Sequence, residues 1–200
     1  MKKRIILAST SQRRYELAKQ MGLMFEMMPS RYEEDMSVKI SPNKLAMILA
    51  KGKAKDVADR VKKGIVIGID TFIVFKNKMM GKPKSAAHAY KMLKSFSDKK
   101  IKVYSGIAII DAETKKEQTD YVVSEVKFSK MTDKEIKTYI ATKEPLDKAG
   151  AFGIQALGSI FVEKVSGCYF NIVGFPIDHI YKNLKKFGVN IFEFEAWKGK

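Results

Sequence analysis

The chain has 200 residues, of which 46% are hydrophobic and 30% are charged. This length fits one globular domain with a substantial core, and the composition excludes intrinsic disorder and low-complexity classes. One cysteine cannot form an internal disulfide, and with two histidines it leaves few soft ligands for zinc. No apolar run is long enough for a signal-peptide core or a membrane span, so we expect a cytoplasmic protein with no membrane partner.

The net charge of +16 indicates an anionic partner, because a positive field attracts phosphates. Lysine supplies 33 of the 38 basic side chains, and most single lysines are expected on the solvated surface. Two of the few arginines, Arg13 and Arg14, are adjacent. Because a guanidinium binds phosphate through two parallel hydrogen bonds, this pair indicates a binding site.

The first elements place this arginine pair at the start of a helix. Arg4–Ala8 is predicted to be a buried strand, Ser9-Thr10-Ser11 a turn, and Gln12–Met21 a helix that stops at Gly22. Such a turn presents hydroxyls and backbone N–H groups at the positive end of the helix dipole, where phosphates bind. A second strand is predicted over Leu23–Met28.

An acidic cluster lies in the polar loop predicted over Pro29–Ser41. Glu33, Glu34 and Asp35 form either an exposed acidic loop or part of a site for a hard metal ion. Magnesium is usually held by one or two carboxylates together with substrate phosphates and water, so one of the glutamates beside another carboxylate would suffice. A long amphipathic helix, Pro42–Val61, is predicted to follow this loop.

Asp70 is the strongest single candidate for a functional residue. The apolar run Ile65–Ile69 is predicted to form a buried strand that ends at Asp70-Thr71. A carboxylate at the end of such a strand is costly to desolvate unless it meets cations or hydrogen-bond donors, and ligands of α/β proteins bind beyond strand ends. The alternative is that Asp70 caps a turn or a helix.

Lys53 and Lys82 are weaker candidates on spacing alone. Lys53 belongs to a run of alternating lysines on a predicted helix, where an exposed side chain is the ordinary expectation. Lys82 stands between a glycine and a proline, after an apolar run at Phe72–Phe75 and a turn at Lys76-Asn77-Lys78. A simple surface turn explains Lys82 equally well.

The glycine-rich segment Glu144–Gln155 is either a strained connection or a place where the backbone approaches a ligand. In the second case, Gln155 offers a donor and an acceptor to a base edge. Covalent catalysis is not indicated, because no nucleophile with a neighbouring base and no glycine-serine-glycine elbow is found in the sequence. A Walker-type glycine loop is not found either.

The remaining predicted elements alternate between helix and strand. They are helices at Ser85–Ser95, Thr132–Thr142 and after Pro176, and strands at Lys102–Ile110, Thr119–Phe128, Ser159–Val165 and Tyr169–Val173. This alternation without a repeat is typical of an α/β fold with a mixed sheet. No linker-like stretch divides residues 1–200, so a single domain is expected.

Six ordered segments resemble the Maf family of nucleoside triphosphate pyrophosphatases, which is related in fold to the inosine triphosphate pyrophosphatases. The segments are Leu7–Arg14, Leu49–Ala54, Gly68–Thr71, Gly81–Pro83, Glu144–Gln155 and Asn171–Pro176, within a resemblance that runs from Arg4 to Leu184. The resemblance implies an elongated, twisted mixed sheet with flanking helices, arranged as a single domain of two lobes around a cleft.

The resemblance also assigns roles to particular residues. It implies that Asp70 is the general base of a metal-dependent hydrolysis that releases pyrophosphate, and that Glu33 or Glu34 helps Asp70 to hold Mg²⁺, with Mn²⁺ as the alternative. The residues implied to bind the triphosphate are Ser9, Arg13, Arg14, Lys53 and Lys82. This agrees with the chemistry, since the reaction needs an oriented water and cations on the leaving group.

Three positions indicate the substrate. The family's subgroup that acts on dTTP and UTP has Arg, Thr and Gln at positions matching Arg13, Thr71 and Gln155, whereas the subgroup that acts on 7-methyl-GTP typically differs at all three. The resemblance therefore implies dTTP, UTP and modified pyrimidine triphosphates as substrates, in a house-cleaning role. A pyrophosphatase for 7-methyl-GTP or another purine triphosphate is the alternative.

Four positions depart from the usual family pattern. Gln12 replaces a proline, Gly52 a glutamate, Ala156 a glycine and Cys168 an aspartate or similar residue. Gly52 inside a helix costs about 1 kcal/mol relative to alanine. None of the four removes a catalytic group.

Functions of two other classes stay open. The positive charge favours a nucleic-acid binder, but the lysines are dispersed, arginines are scarce and no aromatic stacking motif is evident. The resemblance further implies a regulatory role in cell division and a homodimer.

Overall fold

The structure is a computed structural model that describes residues 3–36 and 38–194. Ser37 of the predicted acidic loop and the two ends of the predicted 1–200 domain lie outside the described residues. The helices are Gln12–Gln20 (α1), Pro42–Arg60 (α2), Ala86–Phe96 (α3), Asp133–Ala141 (α4), Tyr169–Val173 (α5) and Ile177–Lys185 (α6). The strands are Ile5–Leu7 (β1), Glu26–Met27 (β2), Ile65–Phe75 (β3), Lys78–Met80 (β4), Lys100–Asp111 (β5), Glu117–Phe128 (β6) and Val162–Ser166 (β7).

These strands form one sheet in the order β2-β1-β3-β5-β6-β7, with β4 paired to β3. β1 is parallel to both β2 and β3, whereas β4 is antiparallel to β3 and β7 is antiparallel to β6. The register aligns Ile5 with Ile65 and Leu7 with Ile67. The sheet is therefore mixed, which confirms the predicted α/β class.

Local sequence signals set several helix ends as predicted. Pro42 lies in the first turn of α2, where its missing N–H costs no intrahelical hydrogen bond. Thr132 and Glu135 form a reciprocal capping box at the start of α4. After α1 the chain turns through Gly22, whose φ is 76°. Within the described ranges, no helix combines the length and the apolar character needed to cross a membrane.

The chain divides into two compact units. Among the described residues, the first unit comprises those up to Thr71, Ser105–Val122 and those from Gly174 onward, and the second comprises Phe72–Tyr104 and Val123–Val173. The strands β3, β5 and β6 contribute residues to both units. The elongated shape and the cleft implied by the sequence stay predictions.

The core of the first unit joins α2 to the strands β1, β3 and β5. Small side chains on α2 face the sheet, which allows the helix backbone to approach the strands closely. The buried residues of this cluster are Ile6, Ala8, Ala50, Ala54, Val57, Ala58, Val66, Ala108, Ile110 and Ala112.

Aromatic rings fill the core of the second unit. Phe96 stacks on Phe128 with ring centroids 5.6 Å apart, and Phe128 meets Phe152 edge-on at 5.0 Å. The fully buried Tyr139 meets Phe161 edge-on at 5.3 Å. Such large buried rings supply much of a core's apolar area, so the loops around Phe152 and Phe161 are anchored to the helices α3 and α4.

The prediction of a strand over Tyr169–Val173 is wrong, because this segment forms helix α5. Its Asn171 is fully buried and donates from Nδ2 to the carbonyl oxygen of Val103 at 3.1 Å. A short apolar run does not distinguish a buried helix from a buried strand, which explains the error.

The last strand begins later than predicted, at Val162 rather than Ser159. Leu157–Phe161 instead forms a 3₁₀ helix. Its first two amides donate to the carboxylate of Glu144 and not to a neighbouring strand. A partner supplied from another loop thus overrides the local preference for a strand.

Candidate functional site

Asp70 lies inside β3, which runs without interruption from Ile65 to Phe75. The expectation that this strand ends at Asp70-Thr71 is therefore wrong. β1 pairs with β3 over Ile65–Ile67, so β3 continues past this parallel partner before it reaches Asp70. The Asp70 side chain is only 8% exposed. A carboxylate this buried requires a compensating partner.

Lys53 of α2 is that partner. Its Nζ lies 2.6 Å from Oδ1 of Asp70 and 2.6 Å from Oε1 of Glu34. The Lys53 side chain is 14% exposed, which distinguishes it from a solvated surface lysine. One ammonium thus joins two carboxylates that would otherwise repel each other.

The helix α2 reaches β3 closely enough for this contact because Gly68 has no side chain. A Cβ at Gly68 would overlap the carbonyl oxygen of Ala50 and the amide nitrogen of Ala54. Gly106 of β5 makes a similar approach to the carbonyl group of Ala46. Since Lys53 lies between Ala50 and Ala54 in the sequence, the close approach brings its side chain to β3. These two glycines were not predicted, although a glycine inside an apolar strand is a known signal of close backbone approach.

The acidic loop is held against the same helix. A Cβ at Gly52 would overlap the ring of Tyr32, so glycine at this position leaves room for the loop. The backbone N–H of Arg31 donates to Oδ2 of Asp56 at 2.9 Å. Glycine at position 52 therefore has a local structural role, because it allows Tyr32 of the acidic loop to pack against α2.

Glu34 and Asp70 are the described carboxylates that fit a divalent cation. Both contact the same ammonium at 2.6 Å, so these oxygens lie within twice that distance of each other. Two carboxylates are the protein ligands that Mg²⁺ commonly uses beside phosphate and water. Glu33 is exposed and forms no ion pair with the described residues. Residues 3–36 and 38–194 contain no group of three or more His, Cys, Asp or Glu that could hold a metal ion.

Arg14 forms a second part of the site from the first turn of α1. Its Nε donates to the carbonyl oxygen of Gly174 at 3.0 Å. Nη1 donates to Oγ of Ser9 and Nη2 to Oγ1 of Thr71, both at 3.4 Å. The guanidinium is thereby fixed in orientation beside two hydroxyl groups.

Electrostatics link Arg14 to the two acids. Burial lowers the pKa of Arg14, and the charges of Asp70 and Glu34 oppose this shift. The exposed Arg13 lowers the same pKa through repulsion between like charges. The predicted cations of α1 and the predicted acids therefore share one electrostatic environment.

Two groups of the site were missed at the sequence level. Oγ of Ser105 lies 2.8 Å from Oγ1 of Thr71, and Gly174 supplies the carbonyl that orients Arg14. Ser105 is fully buried inside the apolar run of β5, which is the signal that could have revealed it.

Lys82 and Gln155 belong to the second unit, and both side chains are exposed. The backbone N–H of Gly150 donates to the carbonyl oxygen of Gly81 at 3.0 Å, which ties the loop of Lys82 to the segment that leads to Gln155. The roles of Lys82 and Gln155 stay predictions.

Residues 4–187 match the family model described as Maf-like protein. A dTTP/UTP pyrophosphatase of Clostridium tetani is 50% identical over 93% of this chain and 98% of its own. Proteins of the same name from Alkaliphilus oremlandii (49% identical, 88% of this chain, 91% of that protein) and Carboxydothermus hydrogenoformans (42%, 92% and 99%) are also similar. The solved structure of the Staphylococcus aureus Ham1 protein is 18% identical, with a TM-score of 0.45 over 64% of this chain and 72% of that one. The chain belongs to the Maf family.

Proposed function

We propose that this protein is a nucleoside triphosphate pyrophosphatase that hydrolyses dTTP and UTP to the monophosphate and pyrophosphate. The observation that carries the proposal is Asp70, a nearly buried carboxylate held at 2.6 Å by Lys53 in the electrostatic environment of Arg14. It is supported by relatives named dTTP/UTP pyrophosphatase that match almost the whole chain at 42% to 50% identity.

The reaction needs a base and cations, and the first unit supplies both. Water adds to the α-phosphorus, the bond to the bridging oxygen breaks, pyrophosphate leaves, and Asp70 accepts the proton of the water. Ser9, Arg13, Arg14 and Lys53 bind phosphate oxygens, and the three cations among them offset the phosphate charge. Lys82 is assigned to the triphosphate on the family resemblance alone.

We assign Glu34 and Asp70 as the residues that would hold Mg²⁺, with Mn²⁺ as the alternative. Such a cation would neutralise charge that develops on the phosphate oxygens. The support is the pair of carboxylate oxygens gathered on one ammonium. A cytoplasmic location and a homodimer stay predictions from the sequence.

The activity is tested by incubating the protein with Mg²⁺ and dTTP, UTP, CTP, GTP or 7-methyl-GTP and resolving the products by anion-exchange chromatography. We expect monophosphate and pyrophosphate in equal amounts, with dTTP and UTP turned over fastest. Orthophosphate without pyrophosphate would contradict the proposal. Preference for GTP or 7-methyl-GTP would support the purine alternative instead.

Asp70→Asn tests the proposed base. We expect turnover of dTTP to fall at least about 100-fold, because the amide cannot accept the proton, while nucleotide binding measured by calorimetry persists. Asp59→Asn is the matched control, since Asp59 is an exposed acid paired with Lys55 on α2, and it should retain full turnover. Wild-type turnover in Asp70→Asn would remove Asp70 from this role. A partner-binding role in cell division, if present, should survive the substitution.

A further inference from the structure

Residues 153–158, here called the Gln155 loop, run into the 3₁₀ helix Leu157–Phe161. One acidic side chain holds the C-terminal end of this loop. Oε2 of Glu144 accepts a hydrogen bond from the backbone N–H of Leu157 at 3.0 Å. Oε1 accepts a second from the N–H of Gly158 at 3.1 Å. Hydrogen bonds to a charged acceptor are among the stronger ones in proteins, so Glu144 is a firm anchor for this end of the loop.

Tyr139 connects the near end of the loop to the same carboxylate. Its hydroxyl donates to Oε1 of Glu144 at 2.8 Å and accepts from the backbone N–H of Gly153 at 3.3 Å. Tyr139 is only 1% exposed, and its ring packs in the aromatic core. Packing of the ring in the core therefore fixes the position of the hydroxyl. The hydroxyl contacts one end of the Gln155 loop directly, at Gly153, and the other end through Glu144.

The base of the loop is tightly closed. A Cβ at Gly158 would lie 2.8 Å from the nitrogen and 2.9 Å from the oxygen of Gly153, distances that only glycine avoids. Glu144 is itself held, since its carbonyl oxygen accepts a hydrogen bond from Nζ of Lys148 at 2.9 Å. Gln155, exposed between the two ends, thus takes its position from Tyr139 and Glu144.

We propose that Glu144 and Tyr139 are positioning residues that hold the Gln155 loop and so determine which base the enzyme accepts. The inference rests on the proposed function and on the prediction from the sequence that the Gln155 amide contacts the base. A loop released at one end must be ordered again each time a nucleotide binds, which costs affinity for the base that the ordered loop recognises. Phosphate binding and bond cleavage do not use these two residues.

The test compares kcat and KM for dTTP and GTP in Tyr139→Phe and Glu144→Gln. We expect the preference for dTTP in kcat/KM to fall about tenfold in each variant, because a lost hydrogen bond to a charged group has about this effect. The change should appear mainly in the KM for dTTP. Glu163→Gln, which alters an exposed glutamate of the same unit, should keep the wild-type preference.

A double variant separates positioning from general damage. Once Gln155→Ala has removed the amide, Tyr139→Phe should cause no further loss of preference. Three outcomes would overturn the role. They are equal losses of kcat/KM for dTTP and GTP, an unchanged preference for dTTP in the folded variants, and additive losses of this preference in the double variant. Tyr139→Phe keeps the ring packing, so it decides the question if Glu144→Gln does not fold. A wild-type protein that shows no pyrophosphatase activity would instead overturn the proposed function.

Discussion

At the residue scale, the charge balance of the site depends on Lys53. Its ammonium contacts Asp70 and Glu34 at the same distance of 2.6 Å; Lys53 and Asp70 are nearly buried, whereas Glu34 is 41% exposed. A divalent cation would compete with the ammonium for these oxygens. Because a bound triphosphate offers a displaced lysine new partners, loading of the metal and of the nucleotide should reinforce each other.

Lys53→Met should therefore raise the affinity for Mn²⁺ in the absence of nucleotide, by about tenfold or more, because the competing charge is gone. Free Mn²⁺ can be measured by electron paramagnetic resonance during a titration. Lys51→Met is the matched control, since Lys51 pairs with Glu117 and not with the two acids. Unchanged or weaker Mn²⁺ binding in Lys53→Met would contradict this competition.

The sequence could not single out Lys53 by spacing, and the structure shows why. Lys51, Lys53 and Lys55 alternate on one helix, and each forms an ion pair with a different element: β6, β3 and α2 itself. Which lysine faces the buried acid depends on how α2 packs on the sheet. The family resemblance singled out Lys53 as a ligand of the triphosphate, and its contact with Asp70 was not predicted. Asp70 itself could be singled out from its apolar surroundings, with a capping role as the alternative.

At the scale of elements, the contact between α2 and β3 determines whether Lys53 reaches Asp70. This contact has no side chain at Gly68 and only small ones at Ala50 and Ala54. Tight backbone packing of this kind cannot absorb an added methyl group without a shift of the helix.

Gly68→Ala should lower the free energy of unfolding by about 1–3 kcal/mol, because the new Cβ would overlap the α2 backbone. Urea denaturation followed by circular dichroism measures this change. Gly81→Ala is the control, since a Cβ there would meet no atom of the described structure within 4 Å, and it should stay within about 0.5 kcal/mol of wild type. Equal stability of the two variants would show that the close approach is not tight.

Elements whose ends carry local signals were predicted best. The capping box at Thr132 and the proline at Pro42 act within one helical turn, so the sequence alone indicates them. The continuation of β3 through Asp70 depends on an ammonium from another element. Helix α5 is too short for periodicity to distinguish it from a strand. Non-local partners and elements too short for periodicity thus account for what sequence reasoning could not predict.

At the scale of the whole molecule, the chain divides into two units, but no linker segment in the sequence marks the division. The chain passes from one unit to the other four times: after Thr71, Tyr104 and Val122, which lie inside continuous strands, and after Val173, where α5 ends. Composition therefore predicted one domain.

The chain has 38 basic and only 22 acidic side chains. Repulsion among the basic side chains destabilises the folded state, so the molecule depends on its few acids to limit this repulsion.

Asp120 is one of these acids and joins β6 to α6. It accepts a hydrogen bond from Nδ2 of Asn183 at 2.9 Å, and Nδ1 of His179 lies 3.2 Å from it. Burial tends to raise the pKa of Asp120, but the hydrogen bonds from Asn183, His179 and the Tyr121 backbone outweigh it, so the pKa is lowered. Since the folded state holds the charged form more strongly than the unfolded state, this carboxylate stabilises the protein above the unfolded pKa of about 4.

Asp120→Asn should therefore lower the free energy of unfolding at pH 7 by about 1 kcal/mol, a value that allows for solvent screening of a side chain that is 35% exposed. The difference from wild type should shrink as the pH falls below about 4, because the Asp120 carboxylate of the wild type then becomes protonated. Urea denaturation at pH 7, 5, 4 and 3 measures both curves. Asp178→Asn, which alters an exposed acid on α6 paired with Lys182, should differ from wild type by no more than about 0.5 kcal/mol. Parallel curves for Asp120→Asn and wild type down to pH 3 would show that this contact does not carry the acid sensitivity of the fold.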